Sequence, residues 1–171
     1  MSSLHDVLQE RENRSRCQQH LLQVYHLPLV CATMNIAGSE KNSFLIQRCF
    51  DLALQDLYAN VGYAVLEEVA QSRRPFGPEA YFIVKNAASA EEIKRLLVGF
   101  EQTHPIGRLL DLDVLRSDGS PVHREVLGLE ARSCFLCEKE AKLCARSRSH
   151  SLDELVRYIQ KVLSSYLEAK N

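Results

Sequence analysis

The amino-acid sequence predicts an α+β fold, with a mixed or antiparallel sheet and a central β-hairpin packed against helices. Segments with the apolar spacing of amphipathic helices are interspersed with short apolar runs typical of strands. Their order lacks the regular βαβ alternation of a doubly wound sheet. Ser117-Asp118-Gly119-Ser120 is a tight turn between two strand-like runs, which predicts a β-hairpin over 108–127. With 171 residues, we expect a single domain over 1–171.

The first half of the chain begins with a helix over 3–25, apolar at both ends and polar between. The segment LPLVCATM at 27–34 is typical of a strand, and NIAGSEKN at 35–42 of a loop. A helix to about residue 58 follows. Its buried stripe is predicted to be Ile46, Cys49, Phe50, Ala53 and Leu57.

In the second half, two further strands are expected at 61–69 and 81–85, joined by a loop QSRRPFGPE. Two helices then begin at capping boxes, in which a serine and a glutamate three residues later satisfy the first free N–H groups. These pairs are Ser89 with Glu92, and Ser151 with Glu154. A cysteine-rich loop fills 128–150.

Composition excludes several function classes. The formal net charge of −1 provides no basic field of the kind that nucleic-acid binding requires. No run approaches the ~20 apolar residues that cross a bilayer, and the first residues carry charges where a signal peptide is apolar. Six cysteines in such a chain are expected to be reduced thiols or metal ligands. We therefore expect a cytoplasmic protein without nucleic-acid or membrane partners.

Asp111 and Asp113 are the strongest candidates for chemistry. Side chains alternate along a strand, so these carboxylates share a face while Leu110 and Leu112 point to the other. Adjacent carboxylates repel unless a cation lies between them, and Mg²⁺ takes one or two carboxylates together with phosphate oxygens. The pair therefore predicts a magnesium site for phosphate chemistry. The alternative is a solvent-facing side of a hairpin.

Two polar segments are candidates for phosphate binding. Gly38, Ser39 and Lys41 precede a helix, where N–H groups attract anions and a lysine adds positive charge, although no strict P-loop is present. On the first helix, three side chains that donate hydrogen bonds occur at positions i, i+3 and i+7 and therefore share one face. It consists of Arg11, Arg14 and Gln18. An ordinary connecting loop and a solvated helix face are the alternatives.

The cysteine-rich loop has two interpretations. Cys134, Cys137, Cys144 and His150 form an allowed zinc ligand set, and CxxC is a common first half of a zinc site. The second half is irregularly spaced, however, and the loop also contains arginines suited to an anionic ligand. We therefore favour a loop that lines the binding site of a phosphate-bearing substrate over a loop that binds zinc. The arginines are Arg132, Arg146 and Arg148, which alternatively offset nearby glutamates.

Together these segments resemble the apo-citrate lyase phosphoribosyl-dephospho-CoA transferase family, also called citrate lyase holo-acyl-carrier-protein synthase. HPIGRLLDLDVL (104–115) is similar to the family's HPxGRLxDxDV signature. ARSCFLCEKEAKLCARSRSH (131–150) resembles its cysteine pattern, with Phe135 in place of the usual leucine. RENRSRCQ and NIAGSEKN also match, although Ser39 replaces a common proline. The resemblance covers nearly the whole chain.

The resemblance implies a nucleotidyltransferase-type enzyme. The donor is 2'-(5''-triphosphoribosyl)-3'-dephospho-CoA, the acceptor is a serine of the citrate lyase acyl carrier protein (γ chain), and diphosphate leaves. On this basis Asp111 and Asp113 hold Mg²⁺ and act in catalysis with Arg108. Substrate-binding residues are expected to be Arg11, Arg14, Gln18, Gly38, Lys41, His104, Arg124, Arg132, Arg146 and His150.

The fold is expected to be similar to nucleotidyltransferases that pair a Gly-Ser turn with a DxD strand, although here about 70 residues separate the two motifs. Two other functions stay open at this stage. One is a non-catalytic binding module stabilised by zinc, which leaves the DxD strand unexplained. The other is an accessory subunit of the lyase that binds the carrier without chemistry.

Overall fold

A computed structural model describes residues 4–62, 65–86 and 88–170. The described residues form five helices and four strands, which confirms the α+β class. Short 3₁₀ turns at Gly107–Leu109 and Glu125–Leu127 flank the last strand. The elements are α1 (Leu4–Tyr25), β1 (Leu29–Met34), α2 (Phe44–Val61), β2 (Leu66–Arg74), β3 (Gly77–Val84), α3 (Ala90–Thr103), β4 (Leu110–Leu115), α4 (Ala141–Ser147) and α5 (Leu152–Lys170).

The four strands form one antiparallel sheet in the order β2-β3-β1-β4. Strand β1 lies at the centre, with β3 on one side and β4 on the other. The loop after β1 begins beside the start of β4, because the Asn35 N–H donates to the Leu109 carbonyl at 2.7 Å. The fold thus closes the long sequence gap between the Gly38 loop and the aspartate strand.

The sheet's hairpin is β2–β3, and the loop expected between these strands is only a tight turn. Strand β2 starts later than expected and continues to Arg74, while β3 resumes at Gly77 with φ +121°. Tertiary ion pairs hold the polar end of β2: Arg73 lies 2.7 Å from Asp51, and Arg74 lies 2.9 Å from Glu10. Such contacts with distant helices override a loop-like composition. Positions 63 and 64 of the expected strand lie outside the described residues.

The hairpin predicted over 108–127 is wrong beyond its turn. The turn itself forms, since the Arg116 N–H donates to the Ser120 carbonyl at 2.9 Å and Gly119 has φ +85°. Pairing then stops after an isolated bridge between Leu115 and Pro121. The next outward-facing groups of β4, the N–H and carbonyl of Leu112, are bonded instead to Glu101 and Lys94, and the chain turns away into the 3₁₀ turn. Strand β4 therefore pairs with β1 and forms an edge of the sheet.

The two faces of the sheet carry different layers. Helices α2, α3 and α5 contribute to the larger core, in which Phe50, Phe82, Ile93 and Leu163 are almost fully buried. Helix α1 covers part of the opposite face through Leu21 and Leu22, which pack with Tyr81 in a smaller cluster. Across the described residues, no helix combines the length and apolarity needed to span a membrane.

Candidate functional site

The face of the sheet beneath α1 gathers the polar side chains of three strands. Thr33 of β1 pairs with Glu79 on one side and Asp111 on the other. Two residues earlier, Cys31 pairs with Asp113 and Tyr81. Because residues opposite each other in a sheet share a face, both aspartates lie on this side. The predicted common face of Asp111 and Asp113 follows from this register.

Both carboxylates are accessible, and each already faces a cation. The side chain of Asp111 is 43% exposed, and its Oδ1 lies 3.0 Å from Nη2 of Arg132. The side chain of Asp113 is 66% exposed, and its Oδ1 lies 3.8 Å from Nζ of Lys94. Partial desolvation and the neighbouring Asp111 charge raise the pKa of Asp113. Accessible carboxylate oxygens of this kind suit Mg²⁺, which retains several waters.

Glu101 is a buried anchor that sequence reasoning missed. Its carboxylate receives Arg124 on one oxygen and Arg132 on the other, and Oε1 also accepts the N–H of Leu112 at 3.0 Å. Burial raises its pKa, while the charge of Arg132 opposes the rise. The predicted substrate residues Arg124 and Arg132 are thus fixed in place beside β4.

Lys94 was also missed, and it completes the support of β4. It is buried, and Nζ donates to the Leu112 carbonyl at 2.6 Å. Lys94 and Glu101 stand seven residues apart and so share a face of α3 with the apolar Leu97. Two charges on the core face of a predicted helix were the signal that would have identified them.

The donor-rich face of α1 meets the same side of the sheet. Nε of Arg14 lies 3.1 Å from Oε2 of the buried Glu79, and Gln18 donates to Sγ of Cys31 at 3.3 Å. Burial raises the pKa of Cys31 to about 12. Arg11, one turn earlier, is exposed. Glu79 was also missed, although an acidic residue in an otherwise apolar strand is a recognisable signal.

The loop at 35–42 is shaped by internal contacts. Gly38 has φ +87°, and a Cβ there would lie 3.0 Å from a methyl of Val156, so both conformation and space require glycine. Nζ of Lys41 donates to the Ile36 carbonyl of the same loop. Partial burial lowers the pKa of Lys41. In this conformation Lys41 stabilises the loop.

A cavity of about 1050 Å³ lies between this loop, the start of β4 and the cysteine-rich segment. Asn35 and Ala37 line one side, and Arg108, Arg132 and His150 line others. The lining includes glutamates as well, so its charge is mixed. The predicted Arg124 also lines the cavity, as does Arg148. Arg132 connects the cavity with the aspartate pair, because its guanidinium reaches Asp111.

Arg108 ties the cysteine-rich segment to the start of β4. Its Nη2 donates to the carbonyls of Ser133 and Cys134, and its guanidinium carbon lies 5.9 Å from the ring centroid of Phe135. These contacts direct it toward the loop rather than toward the aspartates.

The four predicted zinc ligands converge. Their ligand atoms all lie within 4.8 Å of one another. Sγ of Cys137 is 3.4 Å from Sγ of Cys144 and 3.3 Å from Nε2 of His150. Helix α4 carries Cys144 and lies between Cys137 and His150 in the chain. The irregular spacing of these ligands in the sequence therefore does not prevent a compact site. All six cysteines of the chain are free thiols.

Of the predicted substrate residues, only Arg124, Arg132 and His150 line this cavity, and His104 and Arg146 are among those that do not. His104 is largely buried, with Nε2 2.9 Å from Oδ2 of Asp56 and its ring stacked on Phe100. It therefore connects α3 with α2 and does not line the cavity. Arg146 is exposed on α4 and is likewise absent from the cavity lining.

The fold and the site define an α+β protein with a carboxylate pair beside an arginine-containing cavity. Comparison with known families gives one match over residues 2–166, the apo-citrate lyase phosphoribosyl-dephospho-CoA transferase family. The chain belongs to this family, whose members are transferases.

Individual relatives agree with this assignment. A Vibrio cholerae protein named probable apo-citrate lyase phosphoribosyl-dephospho-CoA transferase is 37% identical over 167 residues, covering 96% of this chain and 93% of the relative. A Streptococcus pyogenes protein of the same name is 37% identical, with 98% and 88% covered. Protein CitXG of Haemophilus influenzae is 34% identical over 96% of this chain, which corresponds to 35% of that longer protein.

Proposed function

We propose that this protein transfers the phosphoribosyl-dephospho-CoA group from 2'-(5''-triphosphoribosyl)-3'-dephospho-CoA to a serine of the citrate lyase acyl carrier protein (γ chain). Family membership and the relatives' names support the reaction class. The observation that carries the site assignment is the accessible pair Asp111 and Asp113, joined through Arg132 to a cavity of about 1050 Å³. A cavity of this size suits a ligand as large as a nucleotide-containing cofactor.

The bond changes follow from the products. The serine oxygen forms a bond with the phosphorus nearest the ribose, and the bond from that phosphorus to the diphosphate breaks. The hydroxyl proton leaves to a base, and the group stays attached through a phosphodiester. Charge builds on the oxygens around this phosphorus and on diphosphate, so the protein acts mainly through positioning and electrostatics.

The chain's own residues fit this task. Asp111 and Asp113 would hold Mg²⁺, because two accessible carboxylate oxygens on one face suit a cation that also binds phosphates. When bound, Mg²⁺ supplies charge neutralisation at the phosphates. Arg132 stands between the pair and the cavity, where a guanidinium can share its donors with a phosphate. Gly38 shapes the loop whose Asn35 and Ala37 line the cavity.

One domain spanning 1–171 suffices for this assignment. Acting on a carrier of the citrate lyase system, the protein would work in the cytoplasm, and its six free thiols suit that reducing compartment.

The test is to incubate apo carrier with the donor, Mg²⁺ and this protein, and to measure the carrier's intact mass and released diphosphate. We expect a mass increase equal to one phosphoribosyl-dephospho-CoA group per carrier and one diphosphate per transfer. The matched control is Asp118→Asn, which alters an exposed turn near the same strand. An unmodified carrier after prolonged incubation with wild-type protein would reject the proposal and favour a non-catalytic accessory role.

A further inference from the structure

The segment from 128 to 150 folds against the body of the protein almost without an apolar core of its own. Only Cys134 and Cys144 are buried in it, each 5% exposed. A segment of this length normally requires buried apolar side chains to offset the entropy of ordering its backbone. Leu129 and Phe135 are partly buried against the main core, but they and the two thiols supply only part of that free energy, which points to a further source of stabilisation.

The arrangement of the ligand atoms identifies that source. In tetrahedral zinc sites, Zn–S bonds of about 2.3 Å and Zn–N bonds of about 2.0 Å place neighbouring ligand atoms ~3.5–3.8 Å apart. Here Cys137 and Cys144 have sulfurs 3.4 Å apart, and Nε2 of His150 lies 3.3 Å from the Cys137 sulfur. With Cys134, all four ligand atoms fit within 4.8 Å. A single ion at their centre reaches every ligand after small adjustments.

The local backbone presents the ligands in three pieces. A short turn carries Cys134 and Cys137, closed by the Cys134 N–H donating to the Lys139 carbonyl at 2.7 Å. The Leu136 N–H points at Sγ of Cys134 at 3.5 Å, a contact that stabilises a thiolate. Helix α4 carries Cys144, and it ends at Arg148, whose φ of +47° turns the chain so that His150 returns to the cluster.

We propose that Cys134, Cys137, Cys144 and His150 bind one zinc ion that holds the cavity wall in place. The protein supplies four ligands, so no coordination position remains for water or substrate, and the ion is structural rather than catalytic. Cys134 links it to the cavity, because Arg108 donates to the carbonyls of Ser133 and Cys134. The arginines of this segment then line the cavity on a scaffold that zinc fixes, which unites the two interpretations of the loop.

The experiment measures metal content of the full-length protein, purified with reductant from zinc-supplemented cells. We expect about one equivalent of zinc by elemental analysis in the wild type, and its loss in Cys137→Ser and His150→Ala. Cys17→Ser is the matched control for zinc content, because Cys17 lies on α1 outside the cluster, and it should retain the full equivalent. Zinc retained by both cluster variants would overturn the assignment.

Two further measurements use the wild-type chain and so do not depend on the stability of variants. Replacement of zinc by Co²⁺ should produce the thiolate charge-transfer and tetrahedral d–d absorption of a Cys₃His site. Chelation should accelerate hydrogen exchange over 132–150 and leave β1 and β4 protected, since metal binding supplies folding free energy to that segment. The proposal is overturned if reduced wild-type protein contains no zinc and gives no cobalt spectrum, or if Cys137 and Cys144 are joined in a disulfide.

Discussion

The guanidinium of Arg132 lies 3.0 Å from the carboxylate of Asp111 while also contacting the buried Glu101. Arg132 therefore connects an accessible carboxylate to the core of the protein. A guanidinium has five N–H donors in a planar fork, so it can keep the Glu101 contact and still present donors to a ligand. If Arg132 binds a phosphate as proposed, its side chain is already held in position, which reduces the entropy cost of ordering it on binding.

Replacing either aspartate should abolish transfer without unfolding the protein. Asp111→Asn and Asp113→Asn each remove a negative charge from the proposed metal site. We expect the activation free energy of transfer to rise by at least ~3 kcal/mol, which lowers the rate roughly a hundredfold. The measurement is kcat at saturating Mg²⁺, with circular dichroism to verify the fold. Asp118→Asn should behave as the wild type. Normal turnover in either site variant would remove that residue from the mechanism.

Removing the buried anchor should destabilise the fold as well as the site. Glu101→Ala leaves Arg124 and Arg132 without their shared countercharge, and we expect a loss of ~3 kcal/mol in the free energy of unfolding. Urea denaturation measures this change. Glu91→Ala is the matched control on the same helix, because Glu91 pairs with Arg116 at the surface. Little change in that control is expected, and equal stability of both variants would contradict the anchor role.

Arg11, one of two exposed arginines on α1, should affect donor binding without affecting stability. Arg11→Ala is expected to raise KM for the donor, because the side chain is exposed on the helix that carries Arg14 and Gln18 over the site. Steady-state kinetics and the melting temperature distinguish the two effects. Arg16→Ala is the control, since Arg16 pairs with Glu12 on the exposed surface of α1. If KM changes equally in both variants, Arg11 has no specific role.

Lys41 and Arg108 should behave differently from Arg11. Both donate to backbone carbonyls of loops that border the cavity, so alanine variants should loosen these loops and lower kcat or raise KM. Hydrogen exchange over 35–42 in Lys41→Ala, and over 132–135 in Arg108→Ala, tests this expectation. Direct phosphate binding by these residues predicts altered kinetics with unchanged loop exchange, which would contradict a purely supporting role.

Acid should remove one part of the protein's stability. Burial alone would raise the pKa of Asp56. Hydrogen bonds from Lys170, Tyr166 and His104 outweigh this effect and hold the pKa at about 2, below its ordinary 3.8. A depressed pKa stabilises the fold above the unfolded-state value, and this contribution disappears as pH falls through the folded-state value.

The lowering of the Asp56 pKa from 3.8 to about 2 corresponds to about 2 kcal/mol in the free energy of unfolding. Asp56→Asn should therefore lower the free energy of unfolding near neutral pH by this order. The difference from wild type should shrink as pH falls below 3.8 toward 2. Urea denaturation across this range measures it, and a difference independent of pH would show that Asp56 acts through packing alone.

Local patterns predicted the elements and the aspartate pair well. Alternation along a strand places Asp111 and Asp113 on one face in any sheet, and the capping box at Ser89 forms as expected, with both reciprocal hydrogen bonds. These features depend only on residues near one another in the chain, so the sequence contains the information directly.

Features that depend on distant contacts were less accessible. The hairpin predicted after β4 does not form because Glu101 and Lys94, both on α3, occupy the N–H and the carbonyl of Leu112. Arg124 also turns toward Glu101. The buried role of His104 depends on Asp56, 48 residues away. The irregular cysteine spacing argued against zinc. The sequence alone does not show that the chain, after passing through α4, returns His150 to Cys137.

The hydrogen bonds made to the backbone of β4 by other parts of the protein limit how another chain can approach this strand. Most hydrogen-bonding groups on the outer edge of this strand are occupied. The Leu112 N–H donates to Glu101, Lys94 donates to the Leu112 carbonyl, and Arg132 donates to the Leu110 carbonyl at 3.1 Å. The Val114 carbonyl accepts from the Val122 N–H at 2.9 Å. An incoming peptide cannot extend the sheet there, because the hydrogen-bonding groups it would use are occupied. On the proposed assignment, the acceptor serine would therefore reach Asp111 and Asp113 from the face of the sheet rather than along its edge. The same occupied edge also opposes edge-to-edge pairing of two copies of the protein through β4.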